Sequence, residues 1–333
     1  MTLVDGWIIL DKPVGLGSTT AVSAVKRILR EASEPKTKVG HGGTLDPLAS
    51  GVLPIALGEA TKLCGRMLDA TKAYDFAIRF GEETDTLDAE GVAVATSDVR
   101  PSLEQVEAAL RGFTGEIEQV PPVYSALKVG GKAAYERARA GEQIEMKSRR
   151  VTVYDVKILP GTGRGTAERS EVVEGAQRFA ASTVSPLHHP SDGPPPRAAE
   201  DQITLSATVS KGTYIRSLAR DIAHALGTVG HVSYLRRTRA GPFSLDQAIS
   251  LDFLENAAKA RALTRTVLPL EAALDDIPAL PVTPDQAQLL RHGQRLSGFP
   301  AKPGLSLATS EGTPVALVEA AADGLKVVRG FNL

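Results

Sequence analysis

The chain has 333 residues, of which 42% are hydrophobic and 23% charged, with 38 Lys and Arg against 39 Asp and Glu and a formal net charge of −1. This suits a soluble globular protein with a sizeable core and room for two domains, and argues against a uniformly basic nucleic-acid binder. One cysteine excludes an intrachain disulfide or a cysteine-based metal site, and no spanning helix or signal peptide is legible, so the chain reads as cytoplasmic and reduced.

In chain order, Val22, Val25 and Leu29 follow a cap at Ser18 or Thr19 at helical spacing. A glycine-rich loop comes next, Val39-Gly40-His41-Gly42-Gly43-Thr44-Leu45-Asp46-Pro47-Leu48-Ala49-Ser50-Gly51. Its glycines permit tight turns and close approach to a ligand, and Pro47 holds Asp46 extended. Two readings stay open: a carboxylate presented to a ligand, or a turn in which Asp46 caps a helix-like stretch from Leu48 to Leu53.

Tyr74, Phe76, Ile78 and Phe80 alternate as in a half-buried strand, and Thr152, Tyr154, Val156 and Ile158 repeat the pattern, as do Ile203, Leu205, Ala207 and Val209. Ser102 with Gln105 forms a capping box for a helix carrying Leu103, Val106 and Leu110, closed by Gly112. Residues 160–200, with glycines, Pro194-Pro195-Pro196 and Phe179 as the only aromatic, read as a disordered insertion; His188 and His189 there lack a third metal ligand.

Ile215, Leu218, Ile222 and Leu226 line one face of a helix ended by Gly227. Arg216 falls in its first turn, where the helix dipole disfavours a cation, so a carboxylate partner is expected: Asp221 nearby or Asp46 far away. Tyr74 and Tyr214 lie at element ends, where a ring can face a cleft. Past Leu270, short strand-like runs at 306–309, 315–319 and 326–329 suggest a small β-rich module. Strands and helices mix without a regular βαβ rhythm, which predicts an α+β fold with a mixed, largely antiparallel sheet flanked by helices.

No P-loop, dinucleotide-binding glycine fingerprint, nucleophile elbow or paired zinc histidines occur, so nothing points to a nucleotide cofactor or a catalytic metal. Four basic runs, around Lys26, Lys36, Lys147 to Arg150, and Arg236 to Arg239, make a local basic patch plausible despite the net charge.

Six blocks, in order, resemble the bacterial TruB-type tRNA pseudouridine synthases. They are Asp11-Lys12-Pro13-Val14-Gly15, the loop Gly40 to Gly51, Gly58-Glu59-Ala60-Thr61-Lys62, Tyr124-Ser125-Ala126-Leu127-Lys128, Gly212-Thr213-Tyr214-Ile215-Arg216 and Tyr234-Leu235-Arg236-Arg237. The resemblance implies a pseudouridine synthase domain over 1–250, a connecting helical segment over 251–275 and a PUA-like RNA-binding domain over 276–333. It implies isomerisation of uridine 55 in the tRNA T stem-loop by a monomer, without cofactor, metal or membrane.

By motif, Asp46 resembles the catalytic aspartate, Tyr74 the tyrosine stacked on the flipped base, and Arg216 the arginine paired with the carboxylate. His41 resembles the residue that fills the space left by extruded bases. Tyr214 and Leu235 resemble pocket-lining positions, and Lys12, Lys62, Arg236 and Arg237 fall among the expected RNA contacts. Gly42 departs from the threonine common in the family, and the 160–200 insertion is longer than usual. A tRNA-folding chaperone and a guide-RNA-dependent pseudouridine synthase are the alternatives.

Overall fold

The computed structural model describes residues 5–159 and 201–333; the expected insertion at 160–200, including His188 and His189, lies outside the described residues. Nine strands form the main sheet: β1 (Gly6–Lys12), β2 (Val39–His41), β3 (Ser50–Leu57), β4 (Lys72–Phe80), β5 (Gly115–Gln119), β6 (Arg149–Ile158), β7 (Gln202–Val209), β8 (Gly230–Ala240) and β9 (Phe243–Ser244). Their order is β1-β3-β8-β4-β7-β6-β5, with β2 on β3 and β9 on β8. Every pairing is antiparallel except that of β3 with β8, so the sheet is mixed and largely antiparallel as its periodicities predict.

Helices α1 (Ser18–Glu31), α3 (Leu103–Leu110), α5 (Ile215–Ala225) and α6 (Leu251–Lys259) pack apolar residues into one core, while α2 (Cys64–Asp69) places Met67 in a second. A short helix α4 (Ala134–Arg139) follows a two-residue hairpin at 128–133. In β1, Ile8 and Leu10 join the core with α1 and α5, while Trp7 and Ile9 join the second core. A strand covered on both faces needs an unbroken apolar run, and Trp7-Ile8-Ile9-Leu10 supplies it.

That second core is completed by a separate sheet of β10 (Ala279–Pro281), β11 (Leu296–Ser297), β12 (Gly304–Ser310), β13 (Thr313–Ala321) and β14 (Gly324–Gly330), ordered β10-β12-β13-β14-β11 and flanked by α7 (Pro284–Arg291). Leu307, Leu317 and Phe331 enter the shared core beside Trp7 and Phe243. Lys62 Nζ donates to Gly330 O at 2.9 Å, which ties the two parts together at the edge. No described helix is long and apolar enough to cross a membrane.

Three local expectations change. The N-cap of α1 is Gly17, without a side-chain cap, because the Ser18 hydroxyl is turned to the loop at Leu45 instead. Leu48 to Leu53 is no helix: a turn closes from Ala49 N–H to Asp46 O, and β3 begins at Ser50. In β6 the pairing with β7 shifts between Val153 and Asp155, and Tyr154 is exposed. That bulge inverts the period, so Val151 and Val153 point inward before it and Val156 after it.

Gly51 has φ +98°, and a Cβ there would lie 2.2 Å from Arg237 O, so only glycine lets β3 close on β8. Gly51→Ala is expected to destabilise the fold by at least about 1–3 kcal/mol, the cost of a disfavoured backbone conformation. An unchanged urea midpoint would contradict this.

Candidate active site

Asp46 sits in a loop whose backbone is held almost residue by residue. Arg237 on β8 donates to Gly43 O and Thr44 O at 3.2 and 3.3 Å and to Val52 O at 2.7 Å. Ser18 Oγ donates to Leu45 O at 2.9 Å and accepts from Leu45 N–H at 2.8 Å. Pro47 O accepts from Gly15 N–H at 2.8 Å and from Lys12 Nζ at 3.3 Å. A loop fixed this way loses little further entropy when a ligand arrives, which is the condition for a preorganised carboxylate.

The loop delivers Asp46 to Arg216 in the first turn of α5. Arg216 Nη2 lies 2.9 Å from Asp46 Oδ2, and Nη1 lies 3.1 Å from Asp88 Oδ2. Thr86 O and Tyr124 O accept from Nη1 and Nη2 at 2.8 and 2.9 Å. Of the two partners considered, the distant one is correct: Asp221 instead accepts from Arg220 Nε at 2.9 Å. The Arg216 and Asp88 side chains are 6% and 8% exposed, against 35% for Asp46, so the pair is anchored inside and its reactive end is open. Two carboxylates at the N-terminal end of α5 also suit its dipole.

Sequence reasoning missed Asp88. Leu87 beside it has φ +62°, a strained conformation for a bulky residue, and this turn brings Thr86 O and Asp88 to the same guanidinium. The one available signal was a second aspartate in Asp85-Thr86-Leu87-Asp88, too common a pattern to single out.

A cleft of about 480 Å³ opens above Asp46, with Tyr74, Tyr214, Leu235, Lys72, Arg149 and Arg237 among its walls. Register explains the grouping. Tyr74 on β4 pairs with Arg237 on β8, Leu235 pairs with Phe76, and Lys72 is two residues from Tyr74 on the same face. Gln119 at the end of β5 accepts from Tyr214 N–H at 2.7 Å and donates to Tyr214 O at 3.1 Å, and so fixes the residue at which α5 begins.

Not every expected RNA contact faces outward. Lys12 is fully buried, with Nζ on Pro13 O, Leu16 O and Pro47 O, so it shapes the loop and presents no charge to a ligand. Arg236 is buried against Asp11 at 2.7 Å and Ser50 at 3.2 Å. Arg237 is buried too, with its guanidinium on loop carbonyls at the cleft wall. Lys62 is paired with Glu59 at 2.6 Å, away from the cleft. The basic run at Arg236 is therefore largely interior wiring.

Gly42 also gains a reason: a Cβ there would lie 2.7 Å from Met67 Cβ, so α2 occupies the space a threonine would need. His41 Nδ1 accepts from Gly43 N–H at 3.4 Å, and burial together with Arg237 pushes its pKa below the ordinary value. Lys72 donates to Met67 O, Leu68 O and Ala70 O at 3.0, 2.5 and 2.6 Å, capping the end of α2. Burial, with Arg237 nearby, lowers its pKa to about 8.

Residues 26–176 match the family described as TruB family pseudouridylate synthase (N terminal domain), and residues 216–275 match the tRNA pseudouridylate synthase B C-terminal domain. A tRNA pseudouridine synthase B of Novosphingobium aromaticivorans is 56% identical over 331 residues, covering 99% of this chain and 98% of the relative. One from Zymomonas mobilis subsp. mobilis is 53% identical over 329 residues, covering 99% and 96%. An H/ACA RNP structure with a substrate RNA containing 2′-deoxyuridine includes a chain that matches with TM-score 0.66 at 25% identity, over 98% of this chain and 85% of that one. A Cbf5-Nop10-Gar1 complex gives 0.65 at 27%, over 98% and 84%. The fold implied by the sequence motifs is the fold observed.

Two predictions follow from the charges. Asp88→Ala leaves Arg216 short of one buried partner and should cost roughly 3–5 kcal/mol in urea unfolding; a loss below about 1 kcal/mol would show that Asp46 and the carbonyls suffice. For His41, the folded pKa lies below the unfolded value near 6.5, so the unfolded chain binds more protons as pH falls through 6.5 and stability declines there. His41→Gln should remove that part of the decline between pH 7 and the lowered pKa, and identical pH profiles would refute the assignment.

Proposed function

Since this chain belongs to the TruB family of pseudouridine synthases and is an isomerase, we propose that it converts uridine 55 in the T loop of tRNA to pseudouridine, with Asp46 as the catalytic carboxylate. The observation that carries this reading is the contact of Asp46 with the buried Arg216 at the floor of a cleft that contains Tyr74.

The reaction breaks the bond between N1 and C1′, turns the uracil and joins C5 to C1′. C5 gives up a proton and N1 gains one, so electrons balance without a redox partner. What the chemistry requires is a nucleophile, and an ionised aspartate serves for attack at the sugar or at the base. Arg216 is fixed by Asp88 and two carbonyls, so its part is to aim the carboxylate and offset its charge.

Extruding a base costs a few kcal/mol, and stacking on an aromatic ring recovers about 1–3 kcal/mol. Tyr74 suits that role, with Tyr214 and Leu235 lining the pocket, and His41 at the end of β2 is our candidate to fill the gap in the RNA. The sheet of β10 to β14 is the candidate PUA-like RNA-binding domain. Remodelling of RNA alone would leave the Arg216, Asp46 and Asp88 set without a purpose. Relatives described as tRNA pseudouridine synthase B over 96–98% of their length favour a stand-alone enzyme over a guide-dependent one.

The test is tritium release from C5-labelled tRNA transcript by the purified full chain. Asp46→Asn should cut turnover by roughly 10³-fold or more while tRNA affinity stays within about threefold, since the change removes charge in the transition state and little else. A transcript altered at position 55 should release nothing. Near-wild-type turnover by the variant would rule out the role given to Asp46, and release from the altered transcript would rule out the site.

A further inference from the structure

The cleft-lining cations differ in how many donors they have free. Lys72 has all three of its donors on carbonyls of α2 and the residue after it. Arg216 directs both terminal nitrogens to two carboxylates and two carbonyls, and Arg237 has each of its three nitrogens on a carbonyl, two in the loop and one in β3. These three hold the protein in shape. A nucleotide entering the cleft brings backbone phosphates with it, and none of the three is placed to receive them.

Arg149, the first residue of β6, is different. Its guanidinium carbon lies 4.9 Å from the centre of the Tyr214 ring, and Nη2 donates to Gly212 O. Gly212 has φ +80°, a backbone conformation that favours glycine, and the turn it makes presents its carbonyl to the Arg149 guanidinium. Stacking on an aromatic ring and one carbonyl fix the plane of the group, while Nε is shielded from water with no hydrogen-bond partner. A planar guanidinium in a fixed plane, with terminal N–H donors beyond the one spent on Gly212 O, is suited to fork a phosphate.

We infer that Arg149 is the phosphate-binding residue of the cleft, gripping a backbone phosphate beside the uridine that enters above Asp46. This rests on the proposed action on tRNA and adds a residue that the sequence motifs did not single out. In it, Tyr214 has two tasks: one ring face orients Arg149, and the side chain still lines the pocket.

The experiment measures kcat, KM and the salt dependence of binding for a T stem-loop RNA with the full chain, as wild type, Arg149→Gln and Arg149→Lys. Arg149→Gln should raise KM by about 10- to 100-fold, the factor for a hydrogen bond to a charged group, with a much smaller change in kcat. It should also flatten the slope of log affinity against log salt by about 0.7–0.9, one phosphate contact, while Arg149→Lys restores the slope but not the full affinity. Neutral methylphosphonates, placed singly at the linkages flanking the uridine, should at one linkage weaken wild type by the same factor and leave Arg149→Gln unaffected.

An unchanged salt slope, or additive losses at every linkage, would overturn the assignment of Arg149 while leaving the enzyme reading intact. Failure of wild type to bind or turn over the RNA at all would overturn both.

Discussion

One guanidinium, buried at the start of α5, organises the functional half of the molecule. Arg216 is held between Asp46 and Asp88 and roofed by two carbonyls from separate segments. A cation in that position is costly both for burial and for the helix dipole, and only several simultaneous partners make it tolerable. The partners come from the 42–49 loop, the turn at Leu87 and the stretch at Tyr124, so placing Arg216 places all three. The strain accepted at Leu87 is intelligible as a consequence of that demand.

The same logic explains why a chain with net charge −1 can carry a cationic cleft. Lys12, Lys72, Arg236 and Arg237 are buried with their charges turned onto backbone carbonyls or carboxylates, where they fix loops and helix ends. Elsewhere Arg27 joins α1 to α6 through Glu255 at 2.7 Å. Counting basic residues along the sequence therefore overstates the charge available to RNA, and the useful quantity is the number of donors still free at the cleft. By that measure Arg149 matters more than the denser run at Arg236 to Arg239.

Placing the cleft on the sheet has a mechanical consequence. Tyr74, Lys72, Leu235 and Arg237 belong to adjacent strands that also place Phe76, Ile78 and Val232 in the main core. Their spacing is set by strand geometry, so the walls are rigid. The carboxylate rides on a loop, yet that loop is clamped at Gly43, Thr44, Leu45 and Pro47 and behaves as an extension of the sheet.

The sequence by itself determined the elements whose signal is local. The capping box at Ser102, the periodicities of β4, β7 and α5, and the β-rich character of the C-terminal part follow from spacing that each segment enforces on its own. The resemblance of six motifs fixed the family and pointed to Asp46, Tyr74 and Arg216, which the fold gathers at one cleft. What only the tertiary structure decided is what depends on a partner distant in the chain. The bulge at Tyr154 depends on pairing with β7, and the release of Ser18 from capping depends on Leu45. The choice of Asp46 and Asp88 over Asp221 depends on the 42–49 loop and on the turn at Leu87, both far before Arg216 in the chain. Whether an arginine faces water, a carbonyl or a ligand is likewise absent from its neighbours in sequence, because burial is a property of the assembled sheet.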